Sequence, residues 1–188
     1  MLTVTGGITT AIVLAVVTSG WLVLHPPSPV IVNGPWQTSM LAGSPRADIY
    51  TRAYVAITAL FSLDRSETIY FAAMRDDENE PLRAACTYAI EGKSIAARWW
   101  SITAYGDDNF LIPNEADRFS FNMSNLKYGP DGVFHLLASP VPQLENWLPT
   151  GRGGGFNLML RLYIPGPDIA TNPGEARLPS IKRLGNCG

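Results

Sequence analysis

Three patterns of apolar and polar positions succeed one another along the chain. From Val4 to Leu24 (VTGGITTAIVLAVVTSGWLVL) apolar residues run on with no charge among them. Twenty residues of helix reach about 30 Å, the thickness of a bilayer's hydrocarbon core, so the run predicts a transmembrane helix. Its Thr and Ser hydroxyls are tolerable there because they can bond back to carbonyls of the preceding turn. Trp21 fits an interfacial anchor, and His25-Pro26-Pro27 ends the helix because proline lacks the amide hydrogen. A cleaved signal peptide and a buried core helix are the alternatives. The first lacks its basic stub and small-residue cleavage site, and the second suits a shorter run.

From Asp48 to Leu63 the apolar residues Ile49, Tyr50, Ala53, Tyr54, Ile57, Leu60 and Phe61 recur every three or four positions, predicting one amphipathic helix. Ser44-Pro45 supplies an opening signal, a capping serine followed by proline at the first helical position. From Thr68 the period becomes two. Strands are predicted over Thr68–Met74, Leu82–Ile90, Ala97–Tyr105, Asn109–Pro113, Arg118–Asn122, Val133–Ser139 and Phe156–Ile164, separated by Gly-, Asp- and Asn-rich turns. Many short strands of this kind read as a mainly β, antiparallel sandwich, with the helix on one edge or face. The expected organisation is a transmembrane anchor over 1–25, a Pro-rich tether over 26–45, and a helix plus β-sandwich domain over 46–188.

Charge sharpens this picture. The first 45 residues carry no Lys, Arg, Asp or Glu. The whole chain of 188 residues has 14 basic and 16 acidic residues, which argues against nucleic acid as a partner. The expected partner is a membrane, through the N-terminal helix. The two cysteines, Cys86 and Cys187, form an even count beside an export segment, which favours a disulfide over two unrelated thiols. That pairing places the domain of a single-pass protein on the oxidising side of the membrane.

The run Ala97-Arg98-Trp99-Trp100-Ser101-Ile102-Thr103-Ala104-Tyr105 is followed by Asn114, Arg118, Ser120, Tyr128 and Asp131-Gly132. Then come Asn146-Trp147-Leu148-Pro149 and Arg161-Leu162-Tyr163-Ile164-Pro165. This order resembles the bacterial family called domain of unknown function 1214. Upstream, Asp48–Ala53 and Glu67–Phe71 resemble its short, membrane-anchored members. The resemblance spans about Trp36 to Cys187. It implies a jelly-roll-like β-sandwich in the bacterial envelope, at the inner membrane, without the second, 1254-type domain of longer relatives. It carries over no catalytic residue.

Catalytic and metal chemistry find little support. His25 and His135 are the only histidines, there is no Gly-x-Ser-x-Gly elbow, and no metal or cofactor is expected. Gly151–Gly155 precedes a strand and reads as a flexible loop rather than an anion cradle. Paired acids at Asp76-Asp77-Glu78, Asp107-Asp108 and Glu115/Asp117 keep open a carbohydrate-active enzyme, although acids are ordinary in turns. Glu67, before Ile69-Tyr70-Phe71, is expected to be buried in an ion pair with Arg52 or Arg161.

The aromatic residues give the best lead. Trp99 and Trp100 are consecutive in a strand, so they point to opposite sides of the sheet. Trp100, with Ile102, suits the core. Trp99, Tyr105, Trp147 and Tyr163, with Asn146 and Arg161, are candidates for a groove that takes a glycan or a peptide. The competing reading makes these rings core and corner residues of the sandwich. The function expected is a non-catalytic binding or structural module.

Overall fold

A computed structural model describes residues 2–26, 28–57, 63–185 and 187. Helix α1 covers Leu2–Leu24. Within it, Thr5–Leu24 is long and apolar enough to cross a membrane, and none of that span is buried against the rest of the chain. An apolar helix with none of its span buried is not a core helix. As expected, Thr9, Thr10 and Thr18 donate their hydroxyls to the carbonyls of Thr5, Gly6 and Leu14 one turn earlier. Trp21 stacks on His25 at 5.1 Å just before Pro26, and Pro27 lies outside the described residues.

The segment expected to be a tether is part of the sandwich. Val30–Asn33 (β1) and Trp36–Ser39 (β2) form a hairpin across Gly34-Pro35. Gly34 has a φ of +57°, which a side chain would oppose and a two-residue hairpin turn requires. Trp36 is 0% exposed, inside the core.

Helix α2 spans Ile49–Ile57, later than Ser44-Pro45 implied. The cap is Asp48: Oδ1 accepts the amides of Tyr50 and Thr51, and Oδ2 accepts the Thr51 hydroxyl. A carboxylate offers two acceptors and a negative charge to the helix N-terminus, which the Ser44 hydroxyl cannot match. Ser44 instead closes a separate turn onto Arg46 and Ala47. Residues 58–62, assigned to this helix by their periodicity, lie outside the described residues. The helix also departs from a simple core-facing pattern. Thr51 is buried, whereas Ile49 and Ile57 are 73% and 63% exposed.

The remaining strands are β3 (Thr68–Ala73), β4 (Thr87–Lys93), β5 (Ala97–Gly106), β6 (Ser120–Asn122), β7 (Val133–Ser139), β8 (Trp147–Pro149), β9 (Phe156–Pro165) and β10 (Ser180–Leu184). A short helix α3 covers Pro167–Thr171. The larger sheet has the order β1-β2-β3-β9-β5-β6 and the smaller β10-β4-β7-β8. All pairs are antiparallel except β7 with β8, which departs from a purely antiparallel sandwich. Asn109–Pro113 forms no strand and makes a single bridge from Leu111 to Tyr105.

The core is built by alternation. Ile69, Phe71 and Ala73 of β3, Trp100, Ile102 and Ala104 of β5, and Leu158, Leu160 and Leu162 of β9 share the inner face of the larger sheet. They meet Tyr88 and Ile90 of β4, Phe134 and Leu136 of β7, and Ile181 of β10. Trp100 packs on Phe134 with ring centres 5.5 Å apart. The disulfide joins Cys86 to Cys187 with Cα atoms 4.4 Å apart. It fastens the chain end beside the last β4–β10 pair, Thr87 with Leu184.

Candidate functional site

The larger sheet has a second face, turned away from the core, and its side chains follow from register. Tyr70 of β3 lies opposite Arg161 of β9, which lies opposite Ser101 of β5. One step along, Tyr163 pairs with Trp99. In the other direction Ala72 pairs with Met159, and Met159 with Thr103. A period-two strand that buries Leu158, Leu160 and Leu162 must present Met159, Arg161 and Tyr163 here.

Arg161 organises this face. Its guanidinium donates to the Tyr105 hydroxyl at 2.6 Å and to Thr103 Oγ1 at 3.2 Å. It also lies 5.4 Å from the Tyr105 ring centre and 6.0 Å from that of Tyr70. Among the described residues it makes no ion pair. Trp99 meets Tyr163 edge-on, ring centres 5.2 Å apart, and is 36% exposed. Four of the six groove candidates, Trp99, Tyr105, Arg161 and Tyr163, therefore share one surface.

Asn146 and Trp147 do not join them. Trp147 begins β8 at the edge of the smaller sheet, and Asn146 directly precedes it. Asn146 is buried and serves as a backbone clasp, donating to the carbonyls of Lys127 and His135 and accepting the Lys127 amide. Trp147 donates its indole N–H to the Ser139 carbonyl. The Arg118 guanidinium lies 5.9 Å from the Trp147 ring, and these two line a separate cavity of about 440 Å³ with Phe121 and Leu144. Two strands in different sheets cannot be assigned to one groove from sequence order alone.

Among the described residues the expected buried ion pair does not form. Glu67 is exposed. Arg52 donates instead to the carbonyls of Ala47 and Pro45, and Arg161 to the hydroxyls named above. The turn Asp64-Arg65-Ser66-Glu67 carries Glu67 outward, because the Asp64 carbonyl captures the Glu67 and Thr68 amides. His135 is exposed and contacts Glu91 at 2.9 Å across the β4–β7 pair.

The acids weighed for catalysis hold turns. Asp76 Oδ1 accepts the amides of Glu78 and Glu80, and Asp108 Oδ1 that of Phe110. Asp107 Oδ2 accepts the Gly155 amide at 2.7 Å. The glycine-rich loop thus does receive an anion, the chain's own carboxylate. A Cβ at Gly155 would stand 2.6 Å from Asp107 Oδ1, which is why a glycine sits there.

Sequence reasoning missed a cavity of about 310 Å³ between the outer face of the larger sheet, α2 and the end of α1. Leu24, Val55, Tyr70, Ala72 and Met159 are among its walls. Arg65 lies nearby, donating to the carbonyl of Ser39, itself a wall residue, and to Met40 Sδ. Burial lowers the pKa of this guanidinium. The signal for the cavity was present in the small residue Ala72 among larger neighbours, but only the packing of α2 gives it meaning.

Residues 67–167 match the model of a family described as protein of unknown function (DUF1214). No curated protein matches the chain. Among solved structures, the VPA0106 protein from Vibrio parahaemolyticus is similar at 23% identity and a TM-score of 0.62. The alignment covers 74% of this chain and 36% of that one, and at this identity it shows the fold alone. An uncharacterised protein from Burkholderia cenocepacia is similar at 14% identity and a TM-score of 0.46, over 96% of this chain and 51% of the other. The chain thus spans about a third of the length of the first and half of the second.

Proposed function

Because the chain belongs to the DUF1214 family, whose members have no established function, we propose that it is a binding module of the bacterial envelope. In this reading α1 anchors it once in the inner membrane, the sandwich stands on the periplasmic side, and the work is recognition rather than catalysis. The unburied apolar helix and the disulfide support the placement. Thiols in a reducing compartment do not ordinarily stay paired.

The observation that carries the binding role is the outer face of the larger sheet. Trp99 and Tyr163 present aromatic surface that is partly open, and Arg161 beside them is uncompensated by any carboxylate among the described residues. Apolar ring faces meet the apolar faces of sugar rings, while a guanidinium supplies directed hydrogen bonds. A glycan is therefore the ligand class this face fits best. The test is a glycan array probed with the full chain in detergent, beside Trp99→Ala and Arg161→Gln. Binding that both variants lose, with melting points close to the parent's, supports the proposal. Binding unchanged in both variants, or no glycan retained by the parent, overturns it.

A further inference from the structure

The cavity beneath α2 lies where a soluble binding site has no reason to be. One of its walls is Leu24, the last residue of the apolar span, and Pro26 follows on the same rim. The floor is the outer face of the larger sheet, with Ala72 and Met159. The roof is α2, through Thr51, Tyr54 and Val55. The volume of about 310 Å³ falls at the small end of ligand pockets, and the lining is mostly aliphatic, thioether and aromatic. The end of α1 packs against α2.

Two further features sit beside this space. On its outward side α2 exposes Ile49 and Ile57, with Arg52 between them. Apolar residues with arginine on a short helix are the composition of a segment lying in a membrane interface. Arg65, next to the rim, donates among the described residues to the Ser39 carbonyl and Met40 Sδ. It makes no ion pair among the described residues, and a guanidinium has five N–H groups in a fork suited to phosphate oxygens. An apolar chamber opening at the foot of a membrane helix, with a spare cation at its rim, has the polarity of a phospholipid.

We propose that this cavity receives one acyl chain of a membrane phospholipid, drawn from the leaflet in which α1 ends, with the phosphate held at Arg65. The inference rests on the reading of α1 as a membrane anchor. Binding of this kind ties the sandwich to the bilayer surface.

The experiment uses the full chain in nanodiscs of phosphatidylethanolamine and phosphatidylglycerol, doped with a phosphatidylglycerol carrying a diazirine midway along one acyl chain. After irradiation, adducts are mapped by peptide mass spectrometry. The expected result is labelling of α1 together with cavity residues such as Met159 and Tyr54. Ala72→Phe and Val55→Phe, which fill the chamber from opposite walls, should each lower the cavity adducts at least fivefold and leave those on α1 unchanged. Two variants and a melting curve for each separate a filled cavity from a misfolded domain. Labelling confined to α1 overturns the cavity proposal alone. Absence of adducts on α1 overturns the anchor itself. Cavity labelling that excess free palmitate abolishes shows a fatty-acid site and overturns the assignment to phospholipid.

Discussion

Trp36 donates its indole N–H to the carbonyl of Pro179 at 2.7 Å, across 143 residues of sequence and inside the core. The contact joins the first hairpin of the larger sheet to the segment that leads into the last strand of the smaller one. It turns the stretch after α1 from a spacer into a structural part of the sandwich.

Trp36→Ala should therefore cost about 3–5 kcal/mol, as deletion of a large buried aromatic does. Trp36→Phe keeps most of the packing but leaves the Pro179 carbonyl unpaired, for about 1–3 kcal/mol. Urea denaturation followed by tryptophan fluorescence measures both. A change below 1 kcal/mol for the alanine variant would mean that β1 and β2 do not belong to the cooperative unit.

Neighbouring tryptophans should behave unlike each other. Trp100 is 0% exposed and packed on Phe134, so Trp100→Ala is expected to lose about 3–5 kcal/mol. Trp99 is 36% exposed and loses an edge-on contact with Tyr163, which is worth about 0.5–1.5 kcal/mol beyond its buried area. The two variants, compared in the same denaturant series, should differ by at least a factor of two. Equal losses would place Trp99 under cover.

The disulfide closes a sequence separation of 101 residues. On the chain-entropy account a loop of that size contributes about 4–5 kcal/mol. Alkylation of the denatured, unreduced protein should label neither Cys86 nor Cys187, and Cys86→Ser/Cys187→Ser should melt well below the parent. A dithiothreitol-insensitive melting point would count against the bond.

Asp48 caps α2, and its hydrogen bonds to Thr51 lower its pKa from the usual 3.8. A depressed carboxylate pKa stabilises the fold above the unfolded value, and that contribution disappears as pH falls through the folded one. The amide shift of Thr51 should titrate with a midpoint below 3.8. Asp48→Ala should remove the titration and fray α2. A midpoint at or above the ordinary value would show that the cap does not form.

Gly155→Ala should destabilise through the loop that holds Asp107. The added Cβ would meet the carboxylate, and the hydrogen bond from the Gly155 amide would lengthen or break. Loss of a hydrogen bond to a charged group is worth about 1.5–3 kcal/mol. Asp107→Asn paired with Gly155→Ala in a double-mutant cycle reads the coupling, and additive losses would rule out the contact.

What the sequence determined by itself is what depends on period and local chemistry. Alternation in β5 named which side chains share a face, so Trp100 was legible as core and Trp99 as its opposite. The apolar run ahead of Pro26 was legible as a helix long and apolar enough to cross a membrane, because length and apolarity are local properties. The cysteine pair was legible because only two thiols exist to be joined. Tertiary structure decided the rest. Val30–Asn33, Trp36–Ser39 and Ser180–Leu184 are too short to show a period, and each is a strand because a neighbouring edge offers hydrogen bonds. Glu67 looked buried beside Ile69, yet one Asp64 turn carried it into solvent. Trp99 and Trp147 looked like partners, but they belong to different sheets, and no spacing encodes which sheet a strand joins. The cavity under α2 depends on the separation between a helix and a sheet face, which is fixed by side chains far apart in the chain.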